Sequence, residues 1–233
     1  MNLREHLWRS KLKLYPTQLP KVSRQFKKSS TWKKQDIVLR KDLKRMPQMH
    51  GANVRQIVMR HAATMPAHGY IQGNLYIMYP LGCVFSDEAS VFWAYARVCH
   101  HISCFGPNTD YGKQVVPAWL VQHAHRAVPI PYDVWDMMIR MRWLFIMFGQ
   151  TFVHSECLCS VWDYCLREKQ RMYCVCAALI DTAIKDKSEG CPYARANNIV
   201  STEITTDEST ARILAAAQQI ELAINSNAEV EGR

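Results

Sequence analysis

The chain of 233 residues predicts an all-helical fold. Three observations carry that prediction. Apolar residues recur at helical spacing in segment after segment, no run alternates apolar and polar over the length of a strand, and Pro16, Pro47 and Pro66 close periodic stretches. Leu3, Leu7, Trp8, Leu12 and Leu14 share one face of a first amphipathic helix, ended by Pro16. Residues 16–34 are basic and irregular, and a short helix fits Asp36 to Arg45. Val54, Ile57, Val58, His61 and Ala62 then mark a helix that Pro66 ends.

After Gly69 the apolar run Tyr70 to Val84 has the length of a buried helix. Ser86-Asp87-Glu88 supplies an N-cap and first-turn acids for a helix through Phe92, Trp93 and Tyr95 to about Ile102. A loop carries Gly106, Pro107, Asn108 and Gly112, and further helices fit 117–127, 132–148, 156–166 and 169–186. Gly190-Cys191-Pro192 reads as a boundary. That divides the chain into a helical domain over 1–190 and a polar tail over 191–233 with one helix from near Asp207. The tail helix carries a narrow stripe of Ile213, Leu214, Ala217, Ile220 and Ile224, suited either to packing back on the domain or to holding a partner.

Composition excludes several classes. Hydrophobic residues make up 48% and charged ones 21%, enough to bury a core. Lys and Arg punctuate the first 45 residues, so no secretory leader is read there. The longest apolar run, Met137 to Phe148, is too short to span a bilayer and contains Arg140 and Arg142. The nine cysteines form no CxxC pair and there is no glycosylation sequon, which reads as reduced, mostly buried thiols in a cytoplasmic protein. A zinc site built from His100, His101 and Cys104 is the one metal arrangement the spacing leaves open, and no metal is expected.

Charge is unevenly spread. Residues 1–45 hold 14 Lys and Arg against 3 Asp and Glu, a net of +11 (14 − 3), and the chain as a whole is +9, leaving −2 (9 − 11) for the rest. Such a limb is either a solvated lysine-rich segment or a contact for an acidic protein or an anionic membrane. Nucleic acid is the weaker alternative, with Trp8, Tyr15, Phe26 and Trp32 interleaved among the cations as stacking platforms.

Self-contained catalytic motifs are missing. "GPNTDYGK" from Gly106 puts five residues between its glycines where a P-loop needs four, and Gln114 stands where a magnesium-binding Ser or Thr belongs. The chain is therefore not expected to bind nucleotide by itself. No G-x-S-x-G, HExxH or GxGxxG occurs, and His123 and His125, two apart, cannot share a helix face.

Against that background "HGYIQGNLYIMYPLGCVFSDEASVFW" stands out, because it places a glutamine at the mouth of an apolar helix. Other elements follow the same order along the chain. "LREHLW" holds Arg4 and Trp8, "LRKDLKRMP" holds Asp42 and Arg45, "RWLFIMF" holds Arg142 and Trp143, and "SVWDYCL" holds Trp162 and Asp163. Together with Trp93 these resemble the ordered signatures of the TBC domain family, over residues 3 to about 184. The resemblance implies an all-α TBC-like helical domain that acts as a GTPase-activating protein for a Rab-type small GTPase in vesicle trafficking.

It further implies Arg45 as an arginine finger and Gln72 as a glutamine finger, both acting in trans. Asp42 would direct Arg45, Gly73 would let a partner backbone approach, and Tyr70 would pack beside the glutamine. GTP and magnesium would belong to the partner, leaving no cofactor in this chain, and the location would be cytoplasmic, peripheral on endomembranes. The chemistry suits these residue types. Charge spreads over the transferred phosphoryl group, and an arginine supplied in trans elsewhere contributes about 10³–10⁵ in rate, or roughly 4–7 kcal/mol of barrier. A glutamine both accepts from the attacking water and donates to phosphate without ionising.

Alone, Arg45 reads as a solvated charge and Gln72 as a helix-end residue; Trp8, Trp93, Trp143 and Trp162 read as core. Asp163 is suited to pairing with Arg142 inside the fold. The chain departs from the family pattern at Met46, where Thr is usual, at Leu39 for Ile, and in a short spacing of 27 residues between the fingers (72 − 45). Two functional classes thus stand open: an active GTPase activator, and a catalytically degenerate TBC-fold module that binds a GTPase or another partner without stimulating hydrolysis.

Overall fold

A computed structural model describes residues 3–15, 30–45, 72–98, 116–168, 170–185 and 190–231, with side chains omitted at 30–36, 185 and 227–231. The chain divides into two compact units, Met1–Gln114 and Val115–Arg233. Both are helical, and the described residues contain no strand beyond one isolated bridge. The helix expected over 54–64, the loop at Gly106–Gly112 and the candidate metal residues His100, His101 and Cys104 lie outside the described residues.

In the first unit, α1 (Leu3–Lys11) is shorter than its apolar stripe suggests. Lys13 takes a positive φ of 54°, and Leu14 N–H turns back to donate to the Arg9 carbonyl. Leu12 and Leu14 are still buried, so the stripe reports packing correctly although the helix stops early. Helix α2 (Ser30–Arg45) is longer than expected and buries Leu39 and Asp42. Helix α3 (Asn74–Val84) is apolar nearly all round, with Leu75, Ile77, Met78 and Leu81 fully buried, as a core helix requires.

Helix α4 (Glu88–Arg97) starts one residue later than the expected Ser86 cap. Asp87 is the cap, its carboxylate accepting from Ser90 N–H at 2.7 Å, while Ser86 is exposed. Arg9 joins α1 to this cap, reaching Asp87 at 3.0 Å and Glu5 at 2.9 Å, with its guanidinium 5.4 Å over the Phe85 ring. Trp8 meets the same ring edge-on.

The second unit is built around α8 (Gln170–Lys185), which packs against α5 (Ala118–Ala127), α7 (Ser155–Cys165), α9 (Pro192–Val200) and α10 (Asp207–Glu231). The continuous helix expected over 132–148 is broken. Helix α6 (Tyr132–Ile139) runs into a π-helical turn, Arg140–Leu144, and the chain then leaves helical geometry at Met147 and Phe148, with φ of 46° and 63°. Trp162 holds this turn by donating its indole N–H to the Met147 carbonyl at 3.1 Å.

The segment beyond 190 carries two helices where one is expected, because Pro192 opens α9 at its first position. Helix α10 packs back onto α8 with Ile213 and Ala217 fully buried. Glu221 fastens it by accepting from the Tyr164 hydroxyl and Arg171 Nε, both at 2.8 Å.

Candidate functional site

Arg45 is the last residue of α2, and its side chain is 59% exposed. Asp42, one helical turn earlier, is buried, its side chain 4% exposed. A carboxylate drawn out of water needs partners to offset its lost hydration. Oδ2 accepts from the backbone N–H of Gly73 at 2.8 Å, and Oδ1 stands 3.7 Å from Arg45 Nη1. One buried side chain therefore ties the end of α2 to the turn that opens α3.

Gly73 has φ 96° and ψ −14° at the N-cap of α3. A Cβ is strained in that region, so glycine is required by the backbone itself. Gly73 is buried, and its N–H donates to Asp42. Gln72, the residue before it, is exposed in the same turn. The two polar residues singled out in the sequence thus flank one anchor. Tyr70 and Met46 lie outside the described residues.

Residues 1–187 match the Rab-GTPase-TBC domain. The chain belongs to that family. It is 24% identical over 139 residues to human "TBC1 domain family member 16", covering 55% of this chain and 18% of that relative. The chain thus spans under a fifth of the curated relative's length. In fold it is similar to the Ypt/Rab-GAP domain of Gyp1p, with a TM-score of 0.65 at 16% identity over 95% of this chain and 80% of that one. A flagellar RabGAP TBC domain from Chlamydomonas gives 0.56 at 14% identity, covering 92% and 78%.

The remaining signature residues divide between core and surface. Trp8, Trp143 and Trp162 are fully buried, whereas Trp93 is only half-buried, edge-on to Phe92 at 5.0 Å. Arg4 is half-buried on α1. Asp163, expected beside Arg142, is half-buried on α7. Arg142 is exposed, and it is Arg140 that pairs, with Asp136. Arg142 lies within the π-helical turn, Arg140–Leu144.

Burial of Trp8 withdraws it from the set of stacking aromatics considered above, and the side chains of Phe26 and Trp32 lie outside the described residues. His123 and His125 each lie against an oxygen within the second unit. His123 Nε2 meets Asp181 at 2.8 Å, and His125 Nδ1 meets the Ile130 carbonyl oxygen at 2.7 Å.

A cavity of about 460 Å³ in the second unit is lined by Val121, Tyr132, Asp133 and Asp136 among others, and neither Arg45 nor Gln72 lines it. The described cysteines are free thiols. Burial pushes Cys174 up to about 11 and raises Cys165 and Cys176 as well, which marks them as inert core residues. Among the described residues no group of His, Cys, Asp and Glu is arranged to hold a metal ion, and no helix is long and apolar enough to cross a membrane.

Proposed function

We propose that this TBC domain stimulates GTP hydrolysis by a Rab-type small GTPase, with Arg45 and Gln72 entering the partner's nucleotide site. The supporting observation is the Asp42 carboxylate, which accepts from Gly73 N–H and stands beside Arg45. It leaves the guanidinium in solvent, free to reach out, while limiting where the helix end can point. The same carboxylate pins the turn that carries Gln72.

In the proposed complex Arg45 neutralises charge that develops on the γ-phosphoryl oxygens, and Gln72 orients the attacking water in line. GTP and magnesium are supplied by the GTPase. Neither residue needs to change protonation, since arginine stays charged and the amide is neutral.

The test is phosphate release under single-turnover conditions from a panel of GTP-loaded Rab-type GTPases. Wild-type protein is expected to accelerate at least one member, with Arg45→Ala and Gln72→Ala each lowering that rate by about 10²-fold or more. A GTPase that binds wild type and both variants equally, with no acceleration by any of them, would instead identify a binding module.

A further inference from the structure

The outer face of α2 has a composition that the finger chemistry does not use. At 100° per residue, Ile37, Arg40, Lys41, Lys44 and Arg45 fall within an arc of about 140°, and Val38, Leu39, Asp42 and Leu43 occupy the opposite arc. The first set is exposed throughout, Ile37 at 57%, whereas Leu39 and Asp42 are buried and Val38 and Leu43 half-buried. Four cations surrounding one exposed isoleucine form a continuous patch that ends at Arg45.

We infer that this stripe of α2, Ile37–Lys41–Lys44–Arg45, is a recognition surface for the acidic rim of the nucleotide site on a GTPase. The inference rests on the function proposed above. Rise along a helix puts Lys41 about 6 Å and Ile37 about 12 Å from Arg45. A stable interface covers about 800 Å² per partner, a disc of roughly 16 Å radius. A partner footprint centred on Arg45 would therefore also cover Lys41, Lys44 and Ile37.

Charge then selects the partner. A nucleoside triphosphate still carries net negative charge once its magnesium is counted, and carboxylates that hold magnesium add to it. Lys41 and Lys44 meet that field from one side of the finger, with Ile37 as the apolar contact between cations. An anionic membrane fits the same charges but conflicts with Arg45, because headgroups seated on the stripe would cover the guanidinium and remove it from the nucleotide. Exposed lysines beside a finger are expected to set encounter and affinity rather than the chemical step.

The test uses the full chain with Lys41→Glu/Lys44→Glu, the milder Lys41→Gln/Lys44→Gln, and a control of equal charge change at the end of α1 and the turn after it, Lys11→Glu/Lys13→Glu. Binding to a GTPase loaded with a non-hydrolysable GTP analogue is measured at low and high salt, and single-turnover hydrolysis is measured at saturating protein. The α2 reversal should weaken binding about tenfold or more at low salt, less at high salt, with the saturating rate within about twofold of wild type. The glutamine pair should fall between, and the α1 control should bind nearly as wild type.

An equal loss in the α1 control would show only general attraction and overturn the proposal, as would unchanged binding by the α2 variants. Vesicles of phosphatidylcholine with and without phosphatidylserine provide the other arm. Loss of vesicle binding with GTPase binding intact would assign the stripe to lipid. If wild type binds a GTPase without accelerating it, the catalytic reading fails while the binding comparison still judges the stripe; if wild type binds none, both fail.

Discussion

Asp42 and Glu221 are both carboxylates drawn in from solvent, and the two units use them differently. Glu221 accepts from Tyr164 and Arg171, whose ends are themselves largely covered, so each polar group finishes inside a helix–helix contact. Asp42 accepts from a backbone N–H and stands beside an arginine that remains in water. The first arrangement closes a surface. The second keeps two polar residues exposed while limiting where they can go, which is what a group acting on another molecule requires. Packing explains the second unit; the first contains a polar arrangement that packing alone does not need.

That comparison can be broken from the packing side first. Trp162→Ala removes a fully buried ring and its hydrogen bond to Met147, and should destabilise the second unit by about 3–5 kcal/mol, read from the urea midpoint of unfolding. Glu221→Ala leaves the Tyr164 hydroxyl and Arg171 without this acceptor and should lower stability by about 1–3 kcal/mol, with no change in GTPase stimulation for protein that remains folded. A large loss of stimulation there would erase the distinction between the units.

On the other side, Gly73→Ala forces a Cβ onto a backbone at φ 96° and should cost about 1–2 kcal/mol. Unlike Glu221→Ala, it should also slow single-turnover hydrolysis, since it moves the turn carrying Gln72. The smallest effect concerns Asp87. Partial burial raises its carboxyl, but hydrogen bonds from Ser90 and the Arg9 charge outweigh that and hold it below its ordinary 3.8. A depressed folded value means the stabilisation is present above pH 3.8 and is lost as pH falls through the lower folded value. Asp87→Ala should therefore cost about 1 kcal/mol near neutrality, a deficit that shrinks in acid unfolding measurements below pH 3.8.

The helical class was legible because apolar spacing reports burial directly, and Trp8, Trp143 and Trp162 are core as read. Helix ends were less legible. Lys13, Met147 and Phe148 adopt positive φ, which no residue type there announces, and the π-helical turn has no periodic signal of its own. At the site, Arg45, Gln72 and Asp42 could be named from their order in the chain. The bond from Gly73 N–H to Asp42 could not, because it joins residues 31 apart and one partner is backbone. The positive φ of Gly73 was likewise not legible from the sequence.

The central claim is that Asp42 positions both fingers, and the most direct measurement introduces Asp42→Ala into wild-type, Arg45→Ala and Gln72→Ala backgrounds and follows single-turnover GTP hydrolysis at saturating protein. Asp42→Ala should slow wild type by about 10²-fold and slow the residual acceleration in each single-finger background by roughly tenfold, because each retains one finger that Asp42 still holds. If Asp42→Ala slows hydrolysis in only one of the two backgrounds, the carboxylate serves only the residue retained there, and if it slows neither it serves neither; both results contradict the account of a shared anchor.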